Sequence, residues 1–180
     1  MSVAAKVLLI GYGNPGRLDD GLGPALAAAV EKLAIPGVTV EEDYQLNVED
    51  AALVAEHEVV VFADADVCGP EPYWFRRIVP KPAWSISTHS VEPPALMAMA
   101  QQMFGAKTEG YILGIRGYEF NEFGERLSDR ARANLAAATA FIEPLLRGGS
   151  FREAADKVED SSVTSTGISS EVDPCKTENM

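Results

Sequence analysis

The side chains that could do chemistry in this sequence are carboxylates set at the ends of apolar runs. Val7-Leu8-Leu9-Ile10 leads into a glycine-rich stretch, Gly11-Tyr12-Gly13-Asn14-Pro15-Gly16. Two adjacent acids follow, Asp19 and Asp20, and then Gly21, Gly23 and Pro24. A second apolar run, Val59 to Ala63, ends in Asp64-Ala65-Asp66. His89 comes later, in a loop of small residues with Ser85, Ser87 and Thr88. The other histidine, His57, lies between Glu56 and Glu58 and reads as a solvated surface residue. Carboxylates so placed can hold a cation, take a proton from water, or satisfy turn backbone.

The glycines raise a different chemistry. Gly11-x-Gly13-x-x-Gly16 has the letters of a dinucleotide fingerprint, and Glu41 and Glu42 fall near the position of a ribose-binding acid. The physics opposes a nucleotide-binding α/β enzyme. A pyrophosphate needs a helix that starts at the glycines, so that N–H groups and the helix dipole meet it. Here Pro15, Gly21, Gly23 and Pro24 delay the helix, and Asp19 and Asp20 carry negative charge into the space for phosphates.

The elements that must position these residues alternate. Strands are predicted near 7–10, 38–40, 59–63, 73–79 and 111–115. Helices are predicted near 25–33, 48–56, 95–104 and 129–146, with Asn47 and Ser128 as N-caps. The run at 59–63 is continuous and β-branched, as expected of a central parallel strand. The pattern predicts a three-layer α/β/α sandwich around a mostly parallel sheet of about five strands. Residues 1–149 read as one domain of the phosphorylase/hydrolase-like type. Residues 150–180 read as a disordered acidic Ser/Thr-rich tail, with Phe151 to Val158 at most a frayed helix.

Composition narrows the partners. The net charge is −12, which disfavours nucleic acid, because phosphate binding needs a basic surface. Two cysteines, Cys68 and Cys175, are too few for a disulfide framework and suit a reducing cytoplasm. No apolar run reaches the length of a membrane span, and no signal-peptide layout precedes the first strand. A cytoplasmic protein is the expectation.

Four stretches, in order, resemble a known family. Gly11-x-Gly13-Asn14 with Asp19-Asp20-Gly21-x-Gly23 looks like the amino-terminal signature of the nickel–iron hydrogenase maturation endopeptidases. Val60-Val61-Phe62-Ala63-Asp64-Ala65 with Gly69 resembles the second signature, Ser87-Thr88-His89 the third, and Gly114-Ile115 with Gly124-x-x-Leu127-Ser128 the fourth. The resemblance covers about residues 6–147. It implies an endopeptidase that removes the C-terminal extension of a nickel–iron hydrogenase large-subunit precursor after nickel insertion. It further implies that Asp20, Asp64 and His89 act as catalytic metal-site residues, with Asp19 as the alternative first ligand. The expected metal is nickel supplied by the substrate, and zinc or cadmium could occupy the same site in vitro. A non-catalytic maturation chaperone that binds the precursor is the alternative.

The residues support this independently. Asp20 follows the first strand, Asp64 ends a central strand and His89 precedes a helix, so all three can converge at one carboxyl edge of the sheet. Two carboxylates and an imidazole suit a borderline divalent ion. Such an ion could polarise the scissile carbonyl and lower the pKa of a bound water. Asn14, Gln45 and Asp66 are candidates to line the substrate loop. Asn14 also reads as a turn residue, Asp66 as a group that satisfies turn backbone, and Asp19 as an acceptor for local backbone N–H groups.

Overall fold

The computed structural model describes residues 5–82 and 91–163. Five strands form one sheet: β1 (Val7–Tyr12), β2 (Val38–Asp43), β3 (Val59–Asp66), β4 (Tyr73–Arg77) and β5 (Glu109–Arg116). Their spatial order is β2-β1-β3-β5-β4. All neighbours are parallel except β4, which runs antiparallel to β5 at one edge. The expected mostly parallel α/β sheet is therefore present.

The apolar runs explain the layering. Side chains alternate across a strand, so a continuous run feeds two cores at once. Val7 and Leu9 join one core with Val61 and Ala63, while Leu8 and Ile10 join the other with Val60 and Phe62. The first core is closed by α1 (Leu22–Lys32), α4 (Asp129–Leu146) and α5 (Phe151–Val163). The second is closed by α2 (Asp50–Ala55) and α3 (Pro93–Phe104). Each fully buried Leu or Phe in these layers contributes about 1.5–3 kcal/mol.

Three expectations need correction. The folded chain does not stop at 149, because α5 packs against β4 through Phe151, Ala154, Ala155 and Val158. The Phe151 ring lies 5.5 Å from the Tyr111 ring, and the Arg152 Nε donates to Glu109 at 3.1 Å. A stripe at i, i+3, i+4 and i+7 is short and weakly apolar, so it gains its stability from the docked surface and not from propensity. Asn47 is not the N-cap of α2, a place taken by Glu49; its own N–H donates to Asp50 Oδ2 at 2.8 Å. His57 is not a free surface residue but is half-buried. Its ring bridges the Leu53 carbonyl at 2.8 Å and Thr39 Oγ1 at 3.1 Å, and so ties α2 to β2. Ser128 does cap α4, accepting from the Ala131 N–H at 3.2 Å.

Candidate active site

The carboxyl ends of β1 and β3 bring the first acids together. Gly11 pairs with Ala63, so the next residues, Tyr12 and Asp64, sit side by side at the sheet edge. Asp64 continues the face of Val60 and Phe62, and Tyr12 packs against that same core. After Tyr12 the chain turns sharply at Gly13, whose φ is +140°, a conformation that suits glycine. A Cβ on Gly13 would sit 2.1 Å from the Asp20 carbonyl oxygen. The loop therefore folds back on itself, and a 3-10 turn at Leu18–Gly21 carries both acids before α1 begins at Leu22. That delay, with the acids inside it, leaves no helix N-terminus at the glycines for a pyrophosphate.

The two neighbouring acids have separate environments. Asp19 is fully buried. Its Oδ2 accepts from the N–H groups of Tyr118 (2.8 Å) and Glu119 (3.0 Å) and from Ser128 Oγ (2.7 Å). Its Oδ1 accepts from the Ser128 N–H at 2.7 Å. These partners lie about a hundred residues away and are not local backbone. Burial alone would raise the Asp19 pKa, but the bonds from Ser128, Glu119 and Tyr118 outweigh it and hold the group below its ordinary value. Asp20 is only partly buried, and one of its oxygens accepts from the Asn14 N–H at 2.9 Å.

Asp64 is the perturbed acid of the site. Its pKa is pushed up to about 7 by burial, and the charges of Asp20 and Asp66 add to the shift. The Ala65 N–H, donating to Oδ1 at 2.8 Å, and the Tyr12 hydroxyl oppose it. Asp64 lies in a cleft of about 490 Å³ with Tyr12, Asp66, Trp74, Ile112 and the start of α3 from Val91 to Pro94. No lysine or arginine is among the described residues that line this cleft. The Tyr12 hydroxyl is raised above its ordinary value by burial, then by Asp64 and Glu92, so it keeps its proton.

The remaining candidates divide. Asn14 fixes the loop, its Oδ1 accepting from the Gly16 N–H at 2.9 Å. Asp66 lines the cleft, yet both its oxygens are engaged, one by the Cys68 N–H at 3.0 Å and the other by the Trp74 indole N–H. Gln45 is exposed after β2, and its carbonyl accepts from Asn47 Nδ2 at 3.2 Å. His89 lies outside the described residues. Among the described residues no three of His, Cys, Asp and Glu gather closely enough to hold a metal ion. Asp20 lies near enough to Asp64 for its charge to add to the raised Asp64 pKa, and both carboxylates are only partly buried. That donor set fits a divalent ion, which would relieve the repulsion.

Among the lining residues that the sequence did not single out are two polar ones, Tyr12 and Glu92. Tyr12 had a signal, since it is the first residue after a buried run and Asp64 is the first acid after its neighbour. Glu92 had none, because its approach depends on how α3 docks.

No family model matches the chain, and no curated protein sequence is significantly similar to it. Solved structures do match. The NiFe hydrogenase maturation protease HycI from Thermococcus kodakarensis is 21% identical, with a TM-score of 0.63 over 82% of this chain and 96% of that one. The hydrogenase maturating endopeptidase HybD from E. coli is 19% identical, with a TM-score of 0.58 over 79% and 92%. An uncharacterized protein from Wolinella succinogenes is 26% identical, with a TM-score of 0.56 over 78% and 96%. The chain has the fold of the NiFe hydrogenase maturation proteases.

Proposed function

We propose that this chain is an endopeptidase that removes the C-terminal extension of a nickel–iron hydrogenase large-subunit precursor. Nickel already held by the precursor is the recognition element, and Asp20, Asp64 and His89 are its additional ligands. The observation that carries this reading is the perturbed Asp64 carboxylate, raised in part by the nearby Asp20 charge, at the carboxyl edge of a sheet with the maturation-protease fold. Asp19 is not the first ligand, because its two oxygens already accept four hydrogen bonds.

The chain's own residues divide the work. Burial, with the charge of Asp20 adding to it, raises the Asp64 pKa to about 7, so Asp64 is partly protonated at neutral pH. A bound divalent ion would favour the ionised form of Asp64, so that Asp20 and Asp64 could both serve as anionic ligands. The Ala65 N–H, donating to Oδ1 at 2.8 Å, helps hold the Asp64 carboxylate in place. A divalent ion held by Asp20, Asp64 and His89 would supply Lewis-acid chemistry for the scissile carbonyl and for water. The partly apolar cleft beside Asp64, with Trp74, Ile112, Pro93 and Pro94, receives the chain to be cut.

The test uses purified chain with a nickel-loaded and a nickel-free precursor, read as C-terminal mass loss. Loss is expected only from the loaded form and only with Asp64 intact. Equal loss from both forms, or loss that survives Asp64→Asn, refutes the reading. A bound precursor that never releases a peptide is the outcome for a chaperone.

A further inference from the structure

We propose that Tyr12 is a positioning residue for Asp64, its hydroxyl holding the carboxylate in the orientation that binds the metal. The inference rests on the reading of Asp64 as a ligand and adds a residue which that reading does not require.

The position is unusually well mounted. Tyr12 stands between two glycines, so it supplies the only side chain in the turn from Gly11 to Gly13. A Cβ on Gly11 would lie 2.1 Å from the Gly23 carbonyl oxygen, and one on Gly23 would lie 2.2 Å from the Tyr12 carbonyl oxygen. Backbone of the turn and of α1 are thus in direct contact on one side. On the other, the Tyr12 ring packs against the core under α2 and α3. Parallel register then delivers the side chain beside Asp64 on the same face of the sheet.

The hydroxyl has a defined task there. Asp64 Oδ1 already accepts from the Ala65 N–H at 2.8 Å. The Tyr12 hydroxyl keeps its proton, lines the same cleft, and is placed by the parallel register to donate to that carboxylate. Two donors from different strands restrict rotation of the carboxylate and leave its remaining lone pairs for a guest. Groups that orient a metal ligand in this way change metal affinity by about 10–100-fold when removed. A merely structural tyrosine would do its work through the ring alone.

The experiment compares the full wild-type chain with Tyr12→Phe, which keeps the ring and its packing. Ni²⁺ alone is titrated into each by calorimetry, with a urea melt as control for folding. Ni²⁺ binding by Tyr12→Phe is expected to weaken about 10–100-fold while the urea midpoint stays unchanged. A Kd within two-fold of wild type overturns the proposal, as does a wild-type chain that binds no Ni²⁺. A shifted urea midpoint also overturns it, because the hydroxyl would then be a stabilising group. The endopeptidase reading fails separately, if the wild-type chain leaves the nickel-loaded precursor uncut.

Discussion

Asp19→Asn tests the division of labour between the two adjacent acids most directly. Asparagine has the shape of aspartate but one oxygen fewer. The least costly placement puts its NH₂ at the Oδ1 position, which faces only the Ser128 N–H. Two donors then point at each other in a fully buried site, at a cost of about 1–3 kcal/mol. The three surviving bonds to Tyr118, Glu119 and Ser128 Oγ lose their charge assistance, which is about half their strength. Ser128 is also the N-cap of α4, so a shift there puts about 1 kcal/mol of capping at risk. The total expected is about 3–5 kcal/mol, a large share of the ~5–15 kcal/mol that holds a domain folded. Urea denaturation at pH 7, followed by far-UV circular dichroism, measures it. Asp20→Asn keeps an oxygen for the Asn14 N–H and should cost under about 1 kcal/mol while abolishing cleavage. A cost below about 1 kcal/mol for Asp19→Asn, or destabilisation by Asp20→Asn instead, would overturn this division of labour.

Further outcomes follow from the same geometry. The Asp19 pKa is depressed in the folded state, so its stabilisation is complete above the unfolded value near 3.9 and is lost as pH falls through the folded one. An acid titration of stability should therefore be steeper for wild type than for Asp19→Asn. Asp64 has the opposite sign: its raised pKa gives stability that is present below the unfolded value and lost as pH rises through about 7. Metal-free Asp64→Asn should thus be more stable than wild type at pH 8, by about 2–4 kcal/mol, with little gain at pH 4; thermal melts at both pH values check this. Phe151→Ala removes the ring that docks α5 on Tyr111 and should cost about 3 kcal/mol in a urea melt. Gly13→Ala would drive a methyl group into the Asp20 carbonyl oxygen and should abolish precursor cleavage before it abolishes the fold, read by circular dichroism beside the cleavage assay.

Much of this molecule was legible without coordinates, for reasons that are local. The runs Val7–Ile10 and Val59–Ala63 are apolar at every position, and only a strand covered on both faces has use for that pattern. Ser128 before Asp129 reads as a helix start because a hydroxyl there satisfies an N–H that the helix leaves open. Asp20 and Asp64 could be assigned to one edge because parallel strands all end on the same side. What the tertiary structure alone decided were relations between distant segments. Asp19 and Asp20 are chemically identical neighbours, and they part company because Tyr118, Glu119 and Ser128 arrive to donate to the first of them. The α5 stripe is too weakly apolar to hold a helix in water and becomes one where β4 offers a surface. His57 looks solvated between two glutamates until α2 lies down beside Thr39. A sequence states what each residue can do; burial and hydrogen-bond geometry, set by contacts many residues apart, select which of those things it does.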